Sequence, residues 1–374
     1  MIQGNVRGRS ARVALLAPML ICLCAWFLLL SRPDSSVEAA CSVDRSPAGP
    51  AASLTLRLGK DCTQQDRDAQ MVPAGDLLAA IAEGKGIDLV GAVVTGDLLL
   101  DRLPVQTVRA VALPNLSMPI QRAIEHQGLK EIRVIAGPVS IRDSVVRGMI
   151  STRIKDGIIV FQQPLTLTGT TFEQAVDLSQ AAFAGPVDVS QAIFLKEGFF
   201  IHALFAQAAR FEKTALGLHS RFHRAQFVGP VTFHRAGFNG LAEFIQVTFD
   251  QDASFAQAYF RGGTGFSGSR FRGLSDFSEA VFEREAFFMF AVFEQDAYFR
   301  RVTFRAEANF SDSEFKGLDD FAKAFFTTEP KFTRAKVSGT PPKRGGLQDP
   351  RVLYVIAAVL FAFTLVFVFI LRKG

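Results

Sequence analysis

Five histidines, His126, His202, His219, His223 and His234, are the residues of this 374-residue chain best suited to move a proton or bind a metal. A metal centre needs several such groups converging on one point. His223 and His234 are eleven residues apart, which in the array described below puts them on opposite sides, and no two of the five are 22 apart. Solvated surface histidines account for them. Carboxylate pairs such as Asp319 with Asp320 and Glu283 with Glu285 could serve general acid–base chemistry, yet surface solvation explains them equally well. Gly262-Gly263 and Gly265 read as turn residues, and no phosphate-cradling loop, zinc-ligand spacing or nucleophile elbow occurs. The expectation is therefore no catalytic residue, no metal, no cofactor and no small-molecule ligand. Cys41 and Cys62 form the other pair that could do chemistry: a disulfide in an oxidising compartment, or two buried free thiols.

The element that must position all of these is a lattice of phenylalanine. From Phe205 to Phe332 a large apolar residue returns after six residues, then five, without a slip in register, and every one is Phe except Leu216. Strictness of this kind, with a period of eleven, marks a solenoid in which one short unit stacks on the next. It accounts for the composition, 37 Phe against one Trp and three Tyr. Two residues before most of these Phe stands a small side chain, as at Ala225, Ala236, Ala258, Ser269, Ala280 and Ala291. Positions two apart in an extended chain face the same way, so Phe and its small partner both point inward.

The unit A-x-F-x-x, seen in Ala258-Tyr259-Phe260 and Ala297-Tyr298-Phe299, resembles that of the pentapeptide-repeat family, strongly over 161–337 and loosely over 87–160. The resemblance implies an all-β solenoid, a right-handed quadrilateral β-helix with one unit per side. Some members of that family mimic duplex DNA with an acidic surface. This array is near neutral, and the surplus behind the net charge of +5 lies outside it, flanking apolar segments. Nucleic acid is therefore not expected as a partner.

Size gives the same coil independently. Eleven residues at ~3.3 Å enclose a perimeter of roughly 36 Å, too small for facing sheets that need about 10 Å between them. About 22 residues per coil is the smallest multiple that fits. Asp250, Arg272, Glu294 and Lys316 then stack with alternating charge, as do Arg261, Glu283 and Arg305, whereas an eleven-residue coil would stack Arg261 on Arg272. The same arithmetic stacks Tyr259, Val281, Thr303 and Phe325 on the outside of one face, and turns Phe287, Phe290 and Tyr298 outward. Such a stripe is a candidate partner surface, although β-branched and aromatic residues also simply favour strands.

The rest of the chain divides around this array. Residues 1–31 are a signal peptide or an N-terminal membrane anchor: Val13–Leu30 is nearly unbroken apolar sequence after three arginines, and Val37-Glu38-Ala39 offers a cleavage site. Residues 32–72 read as a linker. Residues 73–86 form a capping helix, with Asp76 as N-cap and Gly84 as the left-handed C-terminal residue. Irregular β-helix rungs follow over 87–160, where Gly-Pro-Val at 137–139 is 48 residues from its copy at 185–187, against 44 for the next copy at 229–231. Four residues have therefore been added there. The regular array spans 161–337, a linker 338–351, and a transmembrane helix 352–371. Arg7, Arg9 and Arg12 hold the N-terminus in the cytoplasm, which places the β-helix on the extracytoplasmic side of a bacterial inner membrane. Lys343, Arg344 and Arg351 pull the other way.

The reading that follows is a membrane-anchored, non-catalytic scaffold of the cell envelope that binds an unidentified protein. The alternative is an envelope enzyme or carbohydrate-binding protein built on the irregular rungs 101–160, where loops have room. A processed C-terminal sorting tag, with Gly345-Gly346 before the apolar stretch, is a third arrangement of the chain end.

Overall fold

The computed structural model describes residues 41–46, 53–107, 116–155, 157–339 and 342. The apolar segments at 13–30 and 352–371 lie outside the described residues, and among the described residues no helix is long and apolar enough to cross a membrane. The chain divides into two units, Met1–Cys41 and Ser42–Gly374, and the coil belongs to the second.

Short parallel strands form four sheets, here faces 1 to 4 in the order the chain visits them, and wind an all-β solenoid of right-handed type. From Ile159 onward each strand pairs with the one 22 residues later, as in Phe161 with Phe183 and Phe293 with Phe315. Face 1 includes Val231–Thr232 and Ser275–Asp276, face 2 Tyr259–Phe260 and Val281–Phe282, face 3 Ala242's strand and Ala286–Phe287, and face 4 Gln226–Phe227 and Arg270–Phe271.

Four columns of Phe rings fill the interior. Within a column the rings stack near the rung spacing, 4.7 Å for Phe222 on Phe244 and 4.6 Å for Phe260 on Phe282, almost coplanar at 4° and 1°. Between faces 1 and 3 the rings meet edge to face, Phe233 against Phe244 at 5.4 Å and 83°. Offset and edge-on contacts are the arrangements the ring quadrupole favours. Each buried ring contributes on the order of 1.5–3 kcal/mol before chain entropy is subtracted.

The alternation of five and six follows from two kinds of corner. At most five-residue steps the amide two residues before the next Phe closes a turn onto the preceding Phe carbonyl, as in Ala225 N–H to Phe222 O at 3.0 Å and Ala236 N–H to Phe233 O at 2.9 Å; at Phe244–Phe249 the Val247 N–H donates to Ser269 Oγ instead, and that hydroxyl donates to the Phe244 carbonyl. The residue before that amide takes a left-handed conformation. Positive φ recurs every eleven residues, from Gln180 (57°) and Gln191 (60°) through Arg224 (54°), Arg235 (57°) and Phe290 (58°) to Arg334 (56°). At a six-residue step the chain runs close to the rung above: a Cβ on Gly240 would lie 1.8 Å from the Leu218 carbonyl oxygen.

The stacked charges form ion pairs at alternate steps. Arg272 reaches Asp250 at 2.6 Å and Arg305 reaches Glu283 at 3.0 Å, but Glu294 takes Arg270 at 2.7 Å instead of Arg272.

The N-terminal third departs further from expectation. Part of the expected linker is ordered. Leu54–Leu58 is a strand of face 1, pairing in parallel with Ile87–Val90, and Val72–Pro73 starts face 2. Between them helix α1, Gln64–Ala69, opens on a reciprocal capping box between Thr63 and Asp66. Helix α2, Ala74–Ala82, closes the end of the coil with Leu77, Ala80 and Ile81 buried. Its N-cap is Pro73, with no side-chain hydrogen bond. Asp76 lies inside the first turn, where its charge favours the helix dipole without capping. Gly84 does take the left-handed position, φ 76°, and the amides of Gly84 and Lys85 bond back to Ile81 and Ala80. The four added residues fall at one corner, since Ile150 pairs with Val176, 26 residues on, while Ile159 pairs with Ala181, 22 residues on. A larger insertion carries helix α3, Met118–Gln127, which lies on the outside of face 4. There Leu116, Ile120 and Ile124 cover Ile158, Val160, Ala182, Leu204 and Ala206.

Candidate interaction surfaces

The outward stripe forms as the coil arithmetic requires. Tyr259, Val281, Thr303 and Phe325 are direct neighbours in register on face 2, with Phe260, Phe282, Phe304 and Phe326 beside them pointing inward. Tyr259 is 37% and Phe325 39% exposed, while Val281 and Thr303 between them are half-buried. Ile193, further up the same face, is also exposed. The stripe has a polar edge, because the Tyr259 hydroxyl donates to Glu283, which Arg305 also holds. That hydrogen bond to a carboxylate raises the Tyr259 pKa above its usual value.

Phe287, Phe290 and Tyr298 do not join this stripe. Phe287 points out from face 3, and Tyr298 lies on face 1 under the Arg300 guanidinium, 4.2 Å from its ring centroid. Phe290 occupies a left-handed corner and is 61% exposed. Gly265 is not a turn residue. It sits in the face 3 strand Thr264–Gly265, and its missing side chain opens a hollow of about 280 Å3 between Ile245 and Met289.

The histidines are spread over the wall, with His223 beyond face 3 and His234 beyond face 1. Two pairings were hidden in the sequence. His202 donates its backbone N–H to the His223 carbonyl at 2.8 Å on the next rung. Burial, with the charges of Arg224 and His223 beside it, pushes the His202 imidazole below its usual pKa. His202 also shares a cleft with His126, 76 residues earlier in the chain. Helix α3 contributes Pro119, Arg122, Ala123 and His126 to one wall; His202, Arg224, Gln226, Asp250 and Arg272 form the other. The cleft encloses about 630 Å3. His223 Nε2 lies 3.3 Å from a Glu243 oxygen that Arg221 holds at 2.8 Å, at an angle that makes no hydrogen bond. Among the described residues no group of three or more His, Cys, Asp or Glu side chains is placed to hold a metal ion.

Cys41 and Cys62 are each disulfide-bonded. Beside them, the Ser42 amide donates to Asp61 Oδ2 at 2.9 Å, which ties the start of the second unit to the loop before α1.

Compared with known families, the chain matches the model for pentapeptide repeats (9 copies) over residues 167–215, 255–303 and 277–324. No curated protein and no solved structure matched it.

Proposed function

We propose that this chain of pentapeptide repeats is a non-catalytic protein-interaction scaffold of the bacterial cell envelope, anchored in the cytoplasmic membrane by 352–371 with its β-helix on the extracytoplasmic side. The observation that carries the interaction role is the face 2 stripe. Four outward side chains, two of them exposed aromatics, stand in register on a wall whose other outward columns are largely charged or polar. A stacked β-wall is rigid, and a rigid apolar surface loses little entropy when a partner covers it. Disulfide-bonded Cys41 and Cys62 support an oxidising compartment. The absence of a catalytic role is supported by the register. From Ile159 to Phe315 consecutive rungs pair without an inserted residue, so no loop projects to hold reacting groups. The test is crosslinking in intact cells of wild type against Tyr259→Gln with Phe325→Glu. Loss of the captured partner at unchanged thermal stability supports the reading; equal capture by both overturns it.

A further inference from the structure

The geometry points to a binding site for a multiply charged oxyanion, carrying phosphate or carboxylate groups, in the cleft between helix α3 and the wall of the coil. This site is separate from the face 2 stripe and does not depend on it.

Three observations carry it. The first is shape: α3 sits on face 4 only as far as the apolar column lasts, Val160, Ala182 and Leu204, and the column turns polar at Gln226. The helix therefore overhangs a polar wall, and the space beneath it, about 630 Å3, falls within the size of ordinary ligand sites. The second is charge. Arg122, Arg224 and Arg272 face the cleft against one carboxylate, Asp250, and Arg272 already holds that carboxylate at 2.6 Å. The third is pairing. Several arginines of the array are matched to carboxylates one rung away, as Arg301 is to Glu279 and Arg334 to Asp312, while Arg235, like Arg224, meets a neutral glutamine, Gln257. Arg122, His126 and His202 make no ion pair among the described residues, and Arg224 has only the neutral Gln246, at 2.9 Å.

Guanidinium forks from two directions, one on the helix and one on the corner, suit an anion with oxygens on more than one side. His202 and Arg224 stand one rung apart, about 4.8 Å, close to the spacing of adjacent charged groups in such a ligand. The sequence gives no hint of this site because its two walls are 76 residues apart.

The test is calorimetric titration of the full chain in detergent with two probes, tripolyphosphate and citrate. Arg122→Gln with Arg224→Gln is compared with a control carrying the same charge loss between faces 2 and 3, Arg261→Gln with Arg284→Gln. Expected is binding of at least one probe by wild type and control, weakened tenfold or more in the cleft variant, at unchanged melting temperature. The preferred probe then tells phosphate from carboxylate. Binding of neither probe overturns the proposal, as does equal weakening in both variants, which marks a diffuse charge effect. Should the double variant fail to fold, Arg122→Gln alone, on the exposed face of the helix, gives the same reading.

Discussion

Residues inside this coil are constrained by the rung above and the rung below, and a single atom decides the sign of a substitution. Gly240 and Gly75 illustrate it. A methyl on Gly240 would meet the Leu218 carbonyl at 1.8 Å, whereas one on Gly75, in the first turn of α2, meets nothing within 4 Å. Gly240→Ala is expected to lower stability by about 1–3 kcal/mol, as overpacking does. Gly75→Ala should raise it by roughly 0.5 kcal/mol through helix propensity. Chemical denaturation of the two variants measures both. Phe244→Ala removes a ring stacked at 4.7 Å on Phe222 and at 4.8 Å on Phe266, and edge-on to Phe233 and Phe255. A loss of about 3–5 kcal/mol is expected, because rings held in register by backbone ladders cannot close the hole. The inward role of these rings was legible from spacing alone. The left-handed corners were not, since Gln, Arg, Lys, His and even Phe290 occupy them where glycine is the usual signal. There the turn is imposed by the Ala amide and the stacked rung, not by local preference.

Elements differ in what covers them. On the regular faces, outward side chains of adjacent rungs satisfy one another: Arg301 with Glu279, Arg334 with Asp312, Arg300 with Asp320. Hydrogen bonds from these neighbours hold the carboxyls below their ordinary range, Glu279 through Gln257 and Arg301, Asp312 through Arg334, Asp320 through Arg300. A carboxyl whose folded pKa is depressed adds stability above its unfolded pKa and gives it up as pH falls through the folded value. Melting temperature is therefore expected to hold level from pH 8 to about 5 and to fall below about 4. High salt should flatten that fall, and a pH series at two salt concentrations checks it. Helix α3 follows a different rule. Its hold on face 4 is apolar, so Ile124→Asp should detach it, speeding amide exchange over 116–130 while coils beyond Phe211 keep their protection. The apolar run Val160, Ala182, Leu204 in an outward column was the available sign that something covers face 4. The capping box Thr63-x-x-Asp66 likewise marked α1 inside the expected linker. Both signals became readable only once the 22-residue register assigned inside and outside.

The coil as a whole is a one-dimensional stack, and its two ends are finished differently. At the N-terminal end α2 buries Leu77, Ala80 and Ile81 against the first rungs, leaving there an apolar void of about 30 Å3. Among the described residues no such lid covers the C-terminal end of the coil. Phe315 is still buried, but Phe321 and Phe332, the last rings of their columns, are only half-buried, and the last two sides of the final rung pair by single bridges, from Asn309 to Lys331 and Glu314 to Lys336. In a stack where each rung is stabilised by its neighbours, a rung with one neighbour opens most readily and opening spreads inward from it. Hydrogen exchange followed by mass spectrometry should show this as an asymmetry. Protection is expected to be lowest over 319–339, to rise rung by rung toward Phe293, and to stay high through Phe205. At the other end it should step up within the rung that α2 covers. If a partner or the membrane closes the C-terminal rung, the gradient over 319–339 disappears in intact membranes and returns in detergent. A uniform profile in both settings would show that the rungs unfold as one unit and that the nearest-neighbour description fails for this array.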